Sequence, residues 1–130
     1  MSNATVTASQ SRTGYRMSLY VVAYQGVGGV GNSVSASAPT GAPSVTVTAS
    51  KAASLFYAVG NDWDRAVARV VGTNQILDDQ WVDTTTGDTY WVQNETFPPA
   101  LPLGTAVTLN DASPTTDRWN FVGVEILNDD

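Results

Sequence analysis

Met17 to Gln25 reads MSLYVVAYQ, a run dominated by β-branched and aromatic residues. In an extended chain Met17, Leu19, Val21 and Ala23 share one side, and Tyr20, Val22 and Tyr24 share the other. A strand with one wet face alternates apolar with polar residues. This run does not, which predicts a central strand covered on both faces. The runs SVTVTA (Ser44 to Ala49), ASLFYAVG (Ala53 to Gly60), TYWVQ (Thr89 to Gln93) and RWNFVGVEIL (Arg118 to Leu127) have the same character, with turn residues between them. The spacing predicts an all-β fold: an antiparallel β-sandwich of about eight strands.

Outward from these runs the chain divides readily. Thr5 to Ser9 is a candidate short first strand. The Gly-, Ser- and Ala-rich stretch Gln25 to Pro43 offers little to pack and reads as a long loop. Its Gly26 to Gly31 portion lacks the Gly-Lys-Ser/Thr ending of a phosphate loop. Ser50-Lys51-Ala52 joins two strands as a hairpin candidate. Asn61 to Val71 reads either as a short capped helix or as an irregular connection ending in strand. Ile76 to Asp83 and Asp88 to Glu95 form a hairpin in which Gly87 supplies a positive φ. Phe97 to Leu103 carries three prolines and must be extended loop. Thr105 to Leu109 is a strand, Asn110 to Asp117 a polar turn, and Arg118 to Leu127 the last strand.

The chain has 130 residues, enough for one domain with a core. It contains no His and no Cys, so it lacks the usual general base, the thiol nucleophile and the soft metal ligands. Charged residues make up 14% of it, and the net charge is −6. That field repels phosphate, which argues against nucleic-acid and anionic-membrane partners. No segment approaches the ~20 apolar residues needed to span a bilayer. Met-Ser-Asn-Ala has neither the charged nor the apolar region of a signal peptide. Residues 1–4 read as a tag remnant and 5–130 as a single sandwich domain.

Three segments, GNDWDRAVAR (Gly60 to Arg69), GDTYWVQ (Gly87 to Gln93) and DRWNFVGVEIL (Asp117 to Leu127), together resemble a β-sandwich module that recurs in large secreted bacterial multidomain proteins. The resemblance covers Thr5 to Leu127. It implies a jelly-roll-like sandwich, an extracellular setting and no catalytic residues. It also implies further strands before Met17: either these are missing here, in which case a partner strand or second copy would cover the open edge, or the chain is a compact variant.

Several residues are candidates for chemistry. Asn61, Asp62 and Asp64 form an oxygen-rich cluster that could bind calcium, with Asp111 or Asp117 converging from afar. The same group could instead be a turn cap with its acids paired to arginine. Arg65, Arg69 and Arg118 read as structural ion-pair partners, since a bidentate arginine fixes how a loop lies on a sheet. Trp63, Trp81, Tyr90, Trp91 and Trp119 are many aromatics for a small domain. Exposed rings stack on sugars, so Trp63, Trp81, Trp91 and Gln93 are the candidate glycan-binding set, although most large aromatics in sandwiches are core. Glu95 and Glu125 are the only glutamates, and nothing marks them as a hydrolytic pair. Lys51 could form an isopeptide crosslink only if buried, and its turn position argues for solvent.

The expected function is a non-catalytic accessory or spacer module of a secreted bacterial protein, possessing no cofactor beyond an optional calcium and carrying a surface for glycan. The alternative is an interaction domain that completes its sheet with another protein segment or a second copy. A glycan binder should show exposed aromatics beside amides. An assembly module should show an uncovered apolar edge or face.

Overall fold

Val45 and Val47 are buried while Ser44, Thr46 and Thr48 face water, and the same period-two alternation runs through most of the chain. The computed structural model describes residues 3–96 and 101–130. Eight strands form among them: β1 (Val27–Ala38), β2 (Ser44–Thr48), β3 (Leu55–Asp62), β4 (Val70–Val71), β5 (Gln75–Asp83), β6 (Asp88–Glu95), β7 (Ala106–Ser113) and β8 (Trp119–Asn128). They make an antiparallel five-stranded sheet, ordered β1-β8-β3-β6-β5, and a three-stranded sheet, ordered β2-β7-β4. The architecture is a β-sandwich and is not closed into a barrel. No helix forms among the described residues; within Asn61 to Val71, Asn61 and Asp62 end β3 and the rest is an irregular connection ending in β4.

The core lies between the sheets. Phe56, Ala58, Trp91, Trp119 and Phe121 come from the larger sheet and Val45, Val47, Val107 and Leu109 from the smaller, with Ala49 and Leu101 added from connections. Trp91 stacks on Phe121 at 5.7 Å between ring centroids. The sheets come close at Gly123, where a Cβ would stand 2.9 Å from the methyls of both Val45 and Val47.

Five readings are corrected. Met17 to Gln25 is not a strand; it is extended, exposed and outside both sheets. Thr5 to Ser9 likewise joins no sheet. The stretch read as a loop, Gln25 to Pro43, contains the edge strand β1, which pairs with β8. Ser44 to Ala49 and Ala53 to Gly60 are no hairpin: β2 and β3 belong to different sheets, and the turn between them, with Ala53 at φ 56, crosses the sandwich. The β5–β6 hairpin forms as expected, with Gly87 at φ 84. β7 runs into the stretch read as a polar turn because Asp111 continues its inward alternation. Residues 1–2, in the stretch read as a tag remnant, and residues 97–100, in the stretch read as an extended loop, lie outside the described residues.

Candidate functional site

On β3 the inward positions are Phe56, Ala58, Gly60 and Asp62, and the outward ones are Leu55, Tyr57, Val59 and Asn61. Alternation therefore sends Asn61 and Asp62 to opposite faces. Asp62 Oδ1 accepts the backbone N–H of Asp64 at 2.7 Å and of Arg65 at 3.3 Å, capping the connection. Its Oδ2 accepts from the Arg69 guanidinium, with both side chains fully buried. Asp64 is exposed and accepts the Arg118 backbone N–H at 3.0 Å. The proposed calcium cluster of Asn61, Asp62 and Asp64 thus does not converge, and its central carboxylate is committed to arginine. Among the described residues no group of three or more acids is placed to hold a metal ion.

Asp111 and Asp117 do converge on this region, but each meets an arginine. Asp117 accepts from the Arg65 guanidinium, and Asp111 Oδ2 lies 4.0 Å from Arg69 Nε. The Arg69 guanidinium also sits 4.3 Å above the Trp91 ring, a desolvated cation–π contact. One guanidinium thus stands between two buried carboxylates. Burial pushes the Asp111 carboxyl up to about 7, against the opposing pull of the Arg69 guanidinium and of Trp91. Burial likewise raises Asp62, partly offset by the Asp64 amide and Arg69. Arg65 and Arg69 are structural ion-pair residues; Arg118 instead uses its amide on Asp64 and holds its guanidinium 5.9 Å from the Trp63 ring.

The four glycan candidates separate. Trp91 and Gln93 point inward on β6 and are buried, with Trp91 Nε1 donating to Gln93 Oε1 at 2.8 Å, so neither presents a face to a ligand. The reason is register: Trp91 lies opposite Gly60, and its ring fills the space that a Cβ on Gly60 would enter. Trp63, 41% exposed, lies beside Arg118 at one end of the sandwich. Trp81 faces outward on β5 and stacks on Tyr90 of β6, 5.6 Å between centroids at 28°.

The outer faces of the two sheets differ. That of the smaller sheet is hydroxyl-rich: Thr46 and Thr108 hydrogen-bond across strands at 2.9 Å. That of the larger sheet carries Leu55, Tyr57, Val59, Val92, Val122 and Val124 beside Trp81 and Tyr90, with Val59 54% and Val122 45% exposed. The Arg16 to Tyr24 segment lies over it. Arg16 Nε reaches Asp83 at 3.2 Å, and Tyr24 meets Tyr57 edge-on at 5.6 Å. Between segment and sheet is a groove of about 480 Å³ whose lining includes Leu19, Tyr20, Asn61, Asp79, Trp81 and Asn120. Burial and Asp78 raise the Tyr20 hydroxyl, which stays protonated and can donate. Asn120 and Asp79 were not among the expected residues; their outward register next to Trp119–Phe121 and Trp81 is the signal that places them here.

Of the remaining candidates, Glu125 and Lys51 bond to groups of the fold itself. Glu125 accepts from the backbone amides of Asn32, Ser50 and Lys51 and from the Ser50 hydroxyl, at 2.6–3.2 Å. Burial alone would raise its carboxyl; these donors win and hold it down at about 2. Glu95 is raised by burial. Lys51 Nζ donates to the Asn128 backbone carbonyl at 2.9 Å, not to a carboxamide or carboxylate side chain. No protein-family model matches the chain, and no match is found among characterised proteins or solved structures.

Proposed function

We propose that this chain is a non-catalytic interaction module, carried by a secreted bacterial protein, whose binding surface is the outer face of the five-stranded sheet. The observation that carries this reading is the contrast between the two outer faces. A sandwich sheet that faces water carries polar residues there, as the smaller sheet does. The larger sheet presents contiguous valine, leucine and aromatic side chains, and an extended apolar segment covers it only in part. Contiguous exposed apolar surface of this kind marks a protein-interaction site. The segment resemblance supports the secreted bacterial setting. Of the acids with shifted titration, Asp62 and Glu125 face inward and are hydrogen-bonded within the fold, which supports a non-catalytic role.

A second reading has its own observation. Trp81 and Tyr90 form a half-buried stacked aromatic pair on the groove beside Asn61, Asn120 and Asp79, the chemistry that recognises a sugar ring. Dye binding and glycan titration decide between the readings. The chain should enhance the emission of an apolar surface dye, and Val59→Thr with Val122→Thr should abolish the enhancement without lowering the Tm. A chain silent to the dye, which instead binds oligosaccharide in a Trp81-dependent way, would replace the first reading with the second.

A further inference from the structure

Two acids stand side by side on β5, and the register puts the second of them in the groove. Leu77 lies opposite Gln93 and Asp79 opposite Val92, so Asp78 is an extra residue, a β-bulge. Leu77 packs against the core, and strict alternation would turn Asp79 inward with it. The bulge turns Asp79 outward instead. There it lines the groove, exposed, two residues from Trp81. Bulges re-aim side chains in this way beside binding sites.

Charge on this face is out of balance. β5 and β6 carry Asp78, Asp79, Asp83 and Asp88. Asp78 accepts from the Asn94 carboxamide at 2.7 and 2.8 Å, and Asp88 from the Tyr90 hydroxyl at 3.1 Å. Asp83 meets Arg16. Among the described residues no ion pair joins Asp79 to an arginine or lysine. The inner face shows what such a set accommodates: Arg69 lies 4.3 Å from the centre of the Trp91 ring, between the carboxylates of Asp62 and Asp111. Trp81, Tyr90 and Asp79 repeat the rings and the carboxylate on the outer face without the guanidinium. A ring face and a carboxylate both attract a cation, and the weakly hydrated guanidinium stacks on rings.

Resting on the interaction-module reading, we infer that the groove takes an arginine side chain presented by an extended apolar segment of another protein. Its guanidinium meets Asp79 beside Trp81 and Tyr90, and its apolar neighbours lie on Val59 and Val122. The groove, about 480 Å³, is of the size that buries a ligand rather than a single methyl or water. The chain's own Arg16 to Tyr24 segment has this composition, an arginine leading an apolar run, and it is seated on the same sheet through Arg16 and Tyr24. A net charge of −6 draws a cationic partner in and turns an acidic one away.

Calorimetric titration with a blocked pentapeptide alternating valine and arginine tests this. The control is the same peptide with citrulline, an uncharged isostere, in place of arginine. The arginine peptide should bind at least about tenfold more tightly than the control, and more weakly as salt rises. Asp79 is exposed and outside any ion pair among the described residues, so Asp79→Asn should keep the parent Tm. It should weaken the arginine peptide at least about tenfold. Asp130→Asn removes the same charge beyond the far end of β8 and should change binding by less than about twofold. Equal binding of the two peptides, or an Asp79→Asn chain that binds as well as the parent, overturns the inference. So does an oligosaccharide that takes the groove while the arginine peptide does not. A chain that brightens the apolar dye yet ignores the arginine peptide loses this occupant and keeps the interaction reading; silence to both removes that reading as well.

Discussion

Glu125 points into the sandwich and stays an anion there. It can do so because four donors from the β1 strand and the β2–β3 turn converge on its two oxygens. A carboxylate so held has its pKa depressed from 4.5 to about 2. The group therefore stabilises the fold fully above about pH 4.5, and that contribution is lost as pH falls toward 2. Glu125→Gln should lower stability at neutral pH by on the order of 3 kcal/mol, since an amide cannot accept from every donor. Denaturant titrations at several acid pH values check it: the parent should lose stability between pH 4.5 and 2 and the variant should not. Gly60 makes the complementary point about size. A Cβ there would stand 2.0–2.4 Å from the Trp91 ring. Trp91 is enclosed by Phe121 and Arg69 and cannot retreat, so Gly60→Ala should cost about 1–3 kcal/mol in urea unfolding, a loss due to overpacking.

At the scale of elements, the connection from Trp63 to Arg69 ties the two sheets together. Arg69 lies between Asp62 of β3 and Asp111 of β7. Removing Asp62 takes away the one carboxylate bonded directly to the buried guanidinium and leaves it only Asp111 at 4.0 Å, so Asp62→Ala should cost about 3–5 kcal/mol. Asp64 is exposed and accepts one amide, so Asp64→Ala should cost under about 1 kcal/mol. Equal melting temperatures for the two variants would refute this division. The lock was legible in the sequence as acids and arginines in one neighbourhood; which acid met which arginine was not, because that depends on pairing between distant strands. The strands containing Val47, Tyr57, Val92 and Val124 were legible from period-two patterning. β1 was not. Its Gly- and Ser-rich composition has low strand propensity, yet its glycines are what the position needs: a Cβ on Gly31 would stand 2.2 Å from a pinned Glu125 oxygen. Met17 to Gln25 erred the other way. It has strand composition without a partner in this chain, and composition cannot supply the second strand. The outward aromatic pair was half legible: Trp81 was named, while Trp91 and Gln93 fell inside because the register across from Gly60 sends them there.

For the molecule as a whole, opposing titrations set where the fold is most stable. The Glu125 contribution is complete above about pH 4.5. Asp111 works in the opposite sense. Its carboxyl is raised from 3.8 to about 7, so the folded chain keeps a proton that the unfolded chain has already released. Stability from this group is fully present below 3.8 and falls as pH rises through about 7. Asp62, also raised by burial, acts in the same direction. Self-repulsion grows over the same range, because the isoelectric point is near 4.2 and the chain reaches −6 at pH 7. These effects together predict maximal stability near pH 4–5, declining on both sides, where a typical domain peaks between about 5 and 8. Chemical denaturation at low protein concentration across pH 2–9 measures it. Asp111→Asn should remove much of the decline between pH 4 and 7, a gain of a few kcal/mol at neutral pH if the full shift is realised. A parent profile peaking at pH 7 or above, or an Asp111→Asn chain no more stable than the parent at that pH, would mean that Arg69 satisfies both carboxylates as anions and that the lock is electrostatically balanced.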